Sequence, residues 1–600
     1  MAAPEAAGIV QTEEDELFRE GCAFEGAAVV ALVKGDAGKP DGGGEGGGEG
    51  EGGAKTMEIM LDDGVLFTLE LDSGEKRLME LGYKQDLQRS MNSFELFSVA
   101  FCGVGMFLGI PYYGTAYLNG GPVCCVWFWW ITAFFAHLLA LSFAEIASSF
   151  PTAGSLYFWA AALAGPKYGP FAAWITGWLE FVGVSVGVGG VAFGGIQQIM
   201  SLVLLATGGM NGGGYDFPHY LQFLSCAALI LICAAINILP VKRVGQVLAV
   251  GAVLQILVAV AFIITLPAVA KTHQPASWVF GHFEVQYAIT GIPNGAYAVV
   301  AGLLMSQYAL YAFDAAAHTS EEAKRSDVTT PFAMIAALSL ISFVEWGVIV
   351  ALTFCIQDPA NLLATDTVTG GEAAEVQILW DVFYGRFGNG AGACVFLGLF
   401  FTSFFFATIT LILAAARVGY ALSRDHGLPL SFLWRQVNAH KVPVNAIACT
   451  SAIAIIFLIP LLGGSVAYFA VTGMATVGWF GAYGVPIFFR IIQSDRDFSP
   501  GPFYLPNYIG HFGGKCVHVL ALTYVVYTMV VFVIPTEYPV TAENFNYASV
   551  GIVVVMAIFL LWWVLDAHRW FKGPKIAKQE DEGARAPEQQ ENYQVGRWFQ

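Results

Sequence analysis

Apolar and polar positions in this chain do not alternate with the short periods of a soluble fold. From Phe94 onward they separate into long apolar blocks divided by short polar ones. A helix crossing about 30 Å of hydrocarbon needs roughly 20 apolar residues. The blocks Ala446–Leu462, Val519–Val533 and Val550–Leu565 are of that kind. The pattern predicts twelve spans, over 94–119, 123–149, 167–205, 219–239, 246–270, 295–319, 331–356, 391–420, 446–462, 465–490, 516–534 and 547–567. The third and eighth are longer than a bilayer requires, which implies tilt or protruding ends. The expected organisation is a tail over 1–80, a twelve-helix membrane domain over 81–574 and a C-terminal tail over 575–600. Within the first tail, Gly35–Gly53 is nearly all Gly, Glu, Asp and Lys, which cannot bury a core and should be disordered. Met57–Leu71 mixes apolar and acidic residues and reads as a short strand pair.

Composition agrees. The 600 residues are 56% hydrophobic and 12% charged, with mean hydropathy +0.61, whereas soluble domains carry about 25% charged residues. The net charge of −18 sits largely in the first 80 residues and in loops. No basic cluster suited to nucleic acid appears. Nearly all Lys and Arg between Lys76 and Lys575 fall in alternate loops, and the opposite loops hold only Lys271 and Arg386. The positive-inside rule then places both termini in the cytoplasm. The beginning of the chain does not read as a signal peptide, because Glu13, Glu14, Asp15 and Glu16 precede its weak apolar stretch Ala27–Val33. Eight of the ten cysteines (Cys102, Cys124, Cys125, Cys226, Cys233, Cys355, Cys394 and Cys449) lie mostly within apolar segments without metal-ligand spacing. Neither a metal nor a cofactor is expected.

Two spans depart from a plain apolar helix. The first contains Cys102-Gly103-Val104-Gly105-Met106-Phe107-Leu108-Gly109-Ile110-Pro111. Three glycines and a proline weaken a helix, and an opened helix at membrane depth must line a cavity enclosed by protein. Free N–H groups there can hold a carboxylate; close helix packing through small residues is the other reading. Its G-x-G-x-x-x-G spacing misses the dinucleotide fingerprint and does not follow a strand. The sixth span turns polar midway, at Ser306–Glu322. Interrupted spans in corresponding positions mark the binding site of inverted-repeat transporters, and the pairing favours a substrate cavity. Glu145, Glu180, Asp314 and Glu345 lie within spans, where charge is costly and usually faces a cavity or a partner. Glu180 and Glu345 are the most central, fitted to carry protons or hold an ammonium. Glu145 and Asp314 approach span ends, where gating or capping competes. His318 is a candidate proton carrier, although a surface-facing position is expected for it.

These residues, in order, resemble the amino acid/choline transporter branch of the amino acid–polyamine–organocation (APC) superfamily, closest to the plant bidirectional amino acid transporter and GABA permease group. The resemblance rests on Leu81-Gly82-Tyr83-Lys84-Gln85, Ala144-Glu145-Ile146, Pro151–Trp159, Thr176-Gly177-Trp178, Asn211–Tyr215 and Leu303–Glu322. It continues through Ser423–Pro429, Val442–Ala446, Pro500–Phe503, Pro535–Asn546 and His568–Phe571, and covers about residues 80–574. It implies an all-α polytopic membrane protein with a LeuT-like fold, two inverted five-helix repeats plus two helices. It further implies secondary transport of an amino acid, GABA included, by alternating access. By position, Cys102, Gly103, Val104, Gly105 and Leu108 would meet the substrate carboxylate; Ala309, Leu310, Tyr311, Ala312 and Phe313 would offer carbonyls to its amine.

Four departures matter. Glu180 and Glu345 stand where relatives are expected to have uncharged residues, a change that favours cationic substrates or proton coupling. Cys102 and Gly105 stand where relatives have serines. Leu411–Ala416 replaces a hydroxyl-rich stretch that would ligate sodium. The fifth span, Gln246–Ala270, lacks the lysine of some proton-coupled relatives. The partners expected are the lipid bilayer and a small amino acid or amine, with proton coupling admitted and nucleic acid excluded. Two alternatives remain: a permease for choline or polyamine-type amines, and a nontransporting amino-acid sensor that signals through its tail. An enzyme is not expected, since no triad, nucleotide loop or metal cluster is placed for catalysis.

Overall fold

Among the described residues ten helices are long and apolar enough to cross a membrane: Gly121–Ser149, Ser155–Ala206, His219–Asn237, Val241–Val269, Ser326–Phe354, Ala391–Arg424, Val444–Gly463, Gly473–Ile492, Pro506–Val531 and Ala548–Trp570. They are the second to fifth and seventh to twelfth predicted spans. The first and sixth are present but broken. The computed structural model describes residues 30–32, 56–60, 66–70, 72–81, 87–292, 294–464, 466–541 and 545–574. The expected disorder of Gly35–Gly53 and the tail from 575 onward lie outside the described residues.

Two units divide the chain, residues 1–76 and 77–600. In the first, β2 (Thr56–Met60) and β3 (Leu66–Glu70) pair antiparallel, with Thr56 opposite Glu70, which is the strand pair expected of Met57–Leu71. A third strand, β1 (Val30–Leu32), adds antiparallel to β2 with Val30 opposite Met60.

In the second unit, loops from alternate connections meet on each face. On the face rich in Lys and Arg, the Ser90 and Met91 amides donate to Glu322 O, both at 2.9 Å. There Arg77 reaches Ser149 O at 3.0 Å and Ser499 O at 2.9 Å, and Tyr157 Oη donates to Asp425 at 3.1 Å. These contacts join the segment before span one with the loops after spans two, six, eight and ten. On the opposite face, the Gln286 amide donates to Leu118 O, Met210 to Val368 O and Tyr538 to Thr290 O, at 2.9, 2.9 and 2.8 Å. Those are the loops after spans one, three, five, seven and eleven. A missed or invented span would have mixed the two sets.

Several boundaries differ from expectation, the eleventh helix starting at Pro506 rather than 516 among them, and one further helix appears. The helix of the third span begins at Ser155, and Gly165, with φ +70°, kinks it where a loop was expected. The eighth runs to Arg424. Ala374–Phe387, between spans seven and eight, is a helix. Its buried Val376, Leu379, Val382 and Phe383 recur at helical spacing, a signal hidden by the search for long apolar blocks.

Candidate functional site: the opened first and sixth spans

The first span starts firmly and stops early. Asn92 Oδ1 accepts from the Phe94 and Glu95 amides at 2.9 Å each, and Glu95 returns a bond to the Asn92 amide at 2.9 Å, a closed capping box. The helix Ser93–Val104 ends at Gly105, whose φ of +71° an L side chain would resist. Regular turns resume at Ile110–Tyr112 and continue in Tyr113–Leu118. In the gap, the Met106 amide donates to Gln255 Oε1 at 3.1 Å. Among the described residues the Phe107 and Leu108 amides carry no hydrogen bond.

The sixth span breaks at the matching place. Gly295–Gly302 and Leu304–Ala309 are helical, Leu310–Asp314 is not, and Ala315–His318 resumes. Ala312 has φ +65°, a strained value for a residue with a Cβ. The tenth span holds it there. Tyr483 Oη accepts from the Ala312 amide at 3.3 Å and donates to Asp314 Oδ1, while Trp479 Nε1 donates to Asp314 Oδ2 at 3.2 Å.

The two breaks lie against each other. A Cβ added to Gly103 would lie 2.8 Å from Ala312 O, and one on Gly109 would lie 2.8 Å from Ala309 Cβ. The ten residues expected at the substrate, from Cys102 to Leu108 and from Ala309 to Phe313, are all buried here. Cys102 differs from expectation in direction. Its Sγ faces the fifth span, donating to Leu248 O and accepting from Gln255 Nε2, both at 3.4 Å.

Gln255 escaped the sequence reading. Its Oε1 also accepts from Ser403 Oγ at 2.5 Å, so one buried amide ties the fifth span to the opened first span and to the eighth. Its signal was available, as a lone polar residue inside the apolar stretch Val247–Ile264.

The four acids fall into distinct settings. Glu180 is wholly buried, with Oε1 3.4 Å from His318 Nε2; the same nitrogen lies 3.3 Å from Asp314 Oδ2. His318 is thus wholly buried between two carboxylates, not at the surface as expected, and its Nδ1 has no hydrogen-bond partner among the described residues. Ligand atoms of Glu180, Asp314 and His318 lie within 4.8 Å of one another, the set best placed to hold a cation among the described residues. Asp314 sits in the sixth-span break itself. Glu145 is a clamp: Arg490 lies 2.8 Å from Oε1, His518 3.3 Å from the same oxygen, and the Leu505 amide donates to Oε2 at 3.0 Å. Those contacts bind the second span to the tenth and eleventh. Glu345, in the seventh span, is wholly buried, and its Oε1 lies 3.3 Å from the position of a Cβ on Gly109.

A second buried pair closes the basic face. Arg417 donates from Nε and one terminal nitrogen to the two oxygens of Glu322, each at 3.0 Å, the bidentate geometry that gives arginine–carboxylate pairs their strength. Glu321 beside it accepts from the Ala153 amide at 2.9 Å.

Residues 94–558 match the family model described as Amino acid permease. The chain belongs to that family. The amino-acid permease BAT1 of Arabidopsis thaliana is 37% identical, the match spanning 85% of this chain and 97% of the relative. The rice BAT1 homolog is 38% identical over 84% and 96% of the two chains. The GABA-specific permease of Saccharomyces cerevisiae is 28% identical over 84% and 86%. The permease is therefore a multi-pass membrane transporter of the APC superfamily, and its relatives are named as permeases rather than as enzymes. Its two broken spans are the first and the sixth, five apart, the positions an inverted repeat of five-span halves relates.

Proposed function

We propose that this permease carries amino acids by alternating access, with the substrate bound between the opened first and sixth spans and both termini in the cytoplasm. The observation that carries the reading is the facing pair of breaks, Gly105–Gly109 and Leu310–Asp314. The Phe107 and Leu108 amides are the donors left for a carboxylate, and the unwound sixth span supplies carbonyls for an amine. We assign proton coupling to Glu180, His318 and Asp314. Two carboxylates and one imidazole buried together must share protons, since unpaired buried charge is expensive. Tyr483 and Trp479 face Asp314 through hydrogen bonds, and Tyr311 lies close enough to feel its charge. The name of the yeast relative puts GABA among the substrates to try.

The test is counterflow in proteoliposomes with labelled GABA, neutral, acidic and basic amino acids, choline and a polyamine. Saturable exchange of amino acids, accelerated by an inward proton gradient in the wild type and indifferent to it in Glu180→Gln, is the expected result. Exchange confined to choline or polyamine overturns the substrate class. No exchange from folded protein favours a sensor, and an unchanged pH profile in Glu180→Gln removes that acid from the mechanism.

A further inference from the structure

Glu345 is an acid that the proton cluster does not use. It is wholly buried in the middle of the seventh span, Ser326–Phe354. Neither carboxylate oxygen has a hydrogen-bonding side chain or a basic partner among the described residues, and the group that acts on it is the Gly109 amide of the first-span break. The buried Glu145 and Glu322, by contrast, each hold an arginine. A carboxylate kept at membrane depth without a cation is costly, and such residues usually face a cavity or a ligand.

Its position supplies the ligand. A Cβ on Gly109 would touch three groups, Ala309 Cβ at 2.8 Å, Met305 O at 3.2 Å and Glu345 Oε1 at 3.3 Å. Glu345 therefore reaches the point where the opened first span meets the sixth, together with a backbone carbonyl. Three residues beyond Gly109, the Tyr112 ring lies 4.5 Å from Tyr308, and Tyr308 continues through Tyr311 to Trp479 with centroids 6.0 and 5.2 Å apart. A carboxylate, a carbonyl and aromatic faces are the surroundings that an ammonium prefers. Gln307, two residues before Ala309, is also wholly buried, and among the described residues both its side-chain polar atoms are unbonded, so this stretch keeps further hydrogen-bonding capacity in reserve.

We infer that Glu345 is a specificity-determining residue that receives a side-chain ammonium of the substrate, so that the site prefers amino acids with a second positive charge. The inference rests on the amino acid transport reading above. The substrate carboxylate would lie toward Phe107 and Leu108, and the second ammonium toward Glu345 and Met305 O.

The experiment is competition in proteoliposomes, with lysine and norleucine each displacing a labelled amino acid that the protein exchanges. Norleucine keeps the length of the lysine chain and lacks its terminal ammonium. The wild type should bind lysine at least tenfold better than norleucine, and Glu345→Gln should collapse that ratio toward one. Equal competition in the wild type overturns the inference, and so does a ratio that survives in Glu345→Gln. The wild-type comparison stands even if the variant folds poorly. Absence of any amino acid exchange defeats the underlying transport reading instead, whereas exchange without lysine preference defeats this inference alone.

Discussion

At the scale of the residue, burial decides what an acidic side chain can do. Glu375 shows this outside the spans, in the helix Ala374–Phe387. Burial pushes its carboxyl up from 4.5 to about 8, and Asp381 in the same helix rises to about 6 by burial first and by the nearby Asp358 as well. The folded protein holds the Glu375 proton up to about pH 8, whereas the unfolded chain releases it near 4.5. This contribution to stability is therefore complete below pH 4.5 and is lost as pH rises through about 8. At about 1.4 kcal/mol per tenfold change in proton binding, the loss has a ceiling of about 5 kcal/mol. Glu375→Gln stays neutral throughout. It should melt with the wild type at pH 4.5 and above it at pH 9, as thermal unfolding in detergent would show; a constant offset at both would exclude ionisation as the cause. Individual acids were legible in the sequence because any Asp or Glu within an apolar block stands out. Their roles were not. Glu145, Glu180 and Glu345 look alike along the chain, and only the fold reveals that Glu145 has Arg490 and Glu180 has His318. His318 was expected at the surface because sequence depth is measured along an unbroken helix, and the sixth span is not one.

At the scale of the element, the breaks were readable because glycine and proline act locally. Gly103, Gly105, Gly109 and Pro111 weaken the first span wherever they sit. The sixth-span break has no glycine at its positive φ; Ala312 is held there by Tyr483, a residue 171 positions away. That is a tertiary cause, and only its polarity betrayed it in the sequence. The Arg417–Glu322 pair belongs to this scale too, since it fastens the end of the sixth span to the eighth. Removing one partner strands a buried charge, which costs about 3–5 kcal/mol in comparable pairs. Arg417→Ala should lower thermal stability by that order. Adding Glu322→Ala should restore part of it, and strictly additive losses would show that the two side chains act independently.

At the scale of the whole molecule, twelve spans and their alternation followed from apolar length and from the placement of Lys and Arg. The loop contacts on the two faces bear the alternation out. What length could not show is how the spans meet. The third and tenth, and the third and eighth, pack into the interior through Gly183, where a Cβ would lie 2.7 Å from the Trp479 amide, and Gly195, where it would lie 2.8 Å from Phe404 Cβ. The same tolerance for small residues brings the first span onto the sixth at Gly103. The central claim, that these two opened spans form the transport site, depends on that approach. The most direct measurement is amino acid counterflow by the wild type and Gly103→Val side by side, each shown to be folded. Saturable exchange by the wild type and its loss in Gly103→Val, whose added carbons have only 2.8 Å to Ala312 O, is the predicted result. Wild-type rates from folded Gly103→Val would contradict the account.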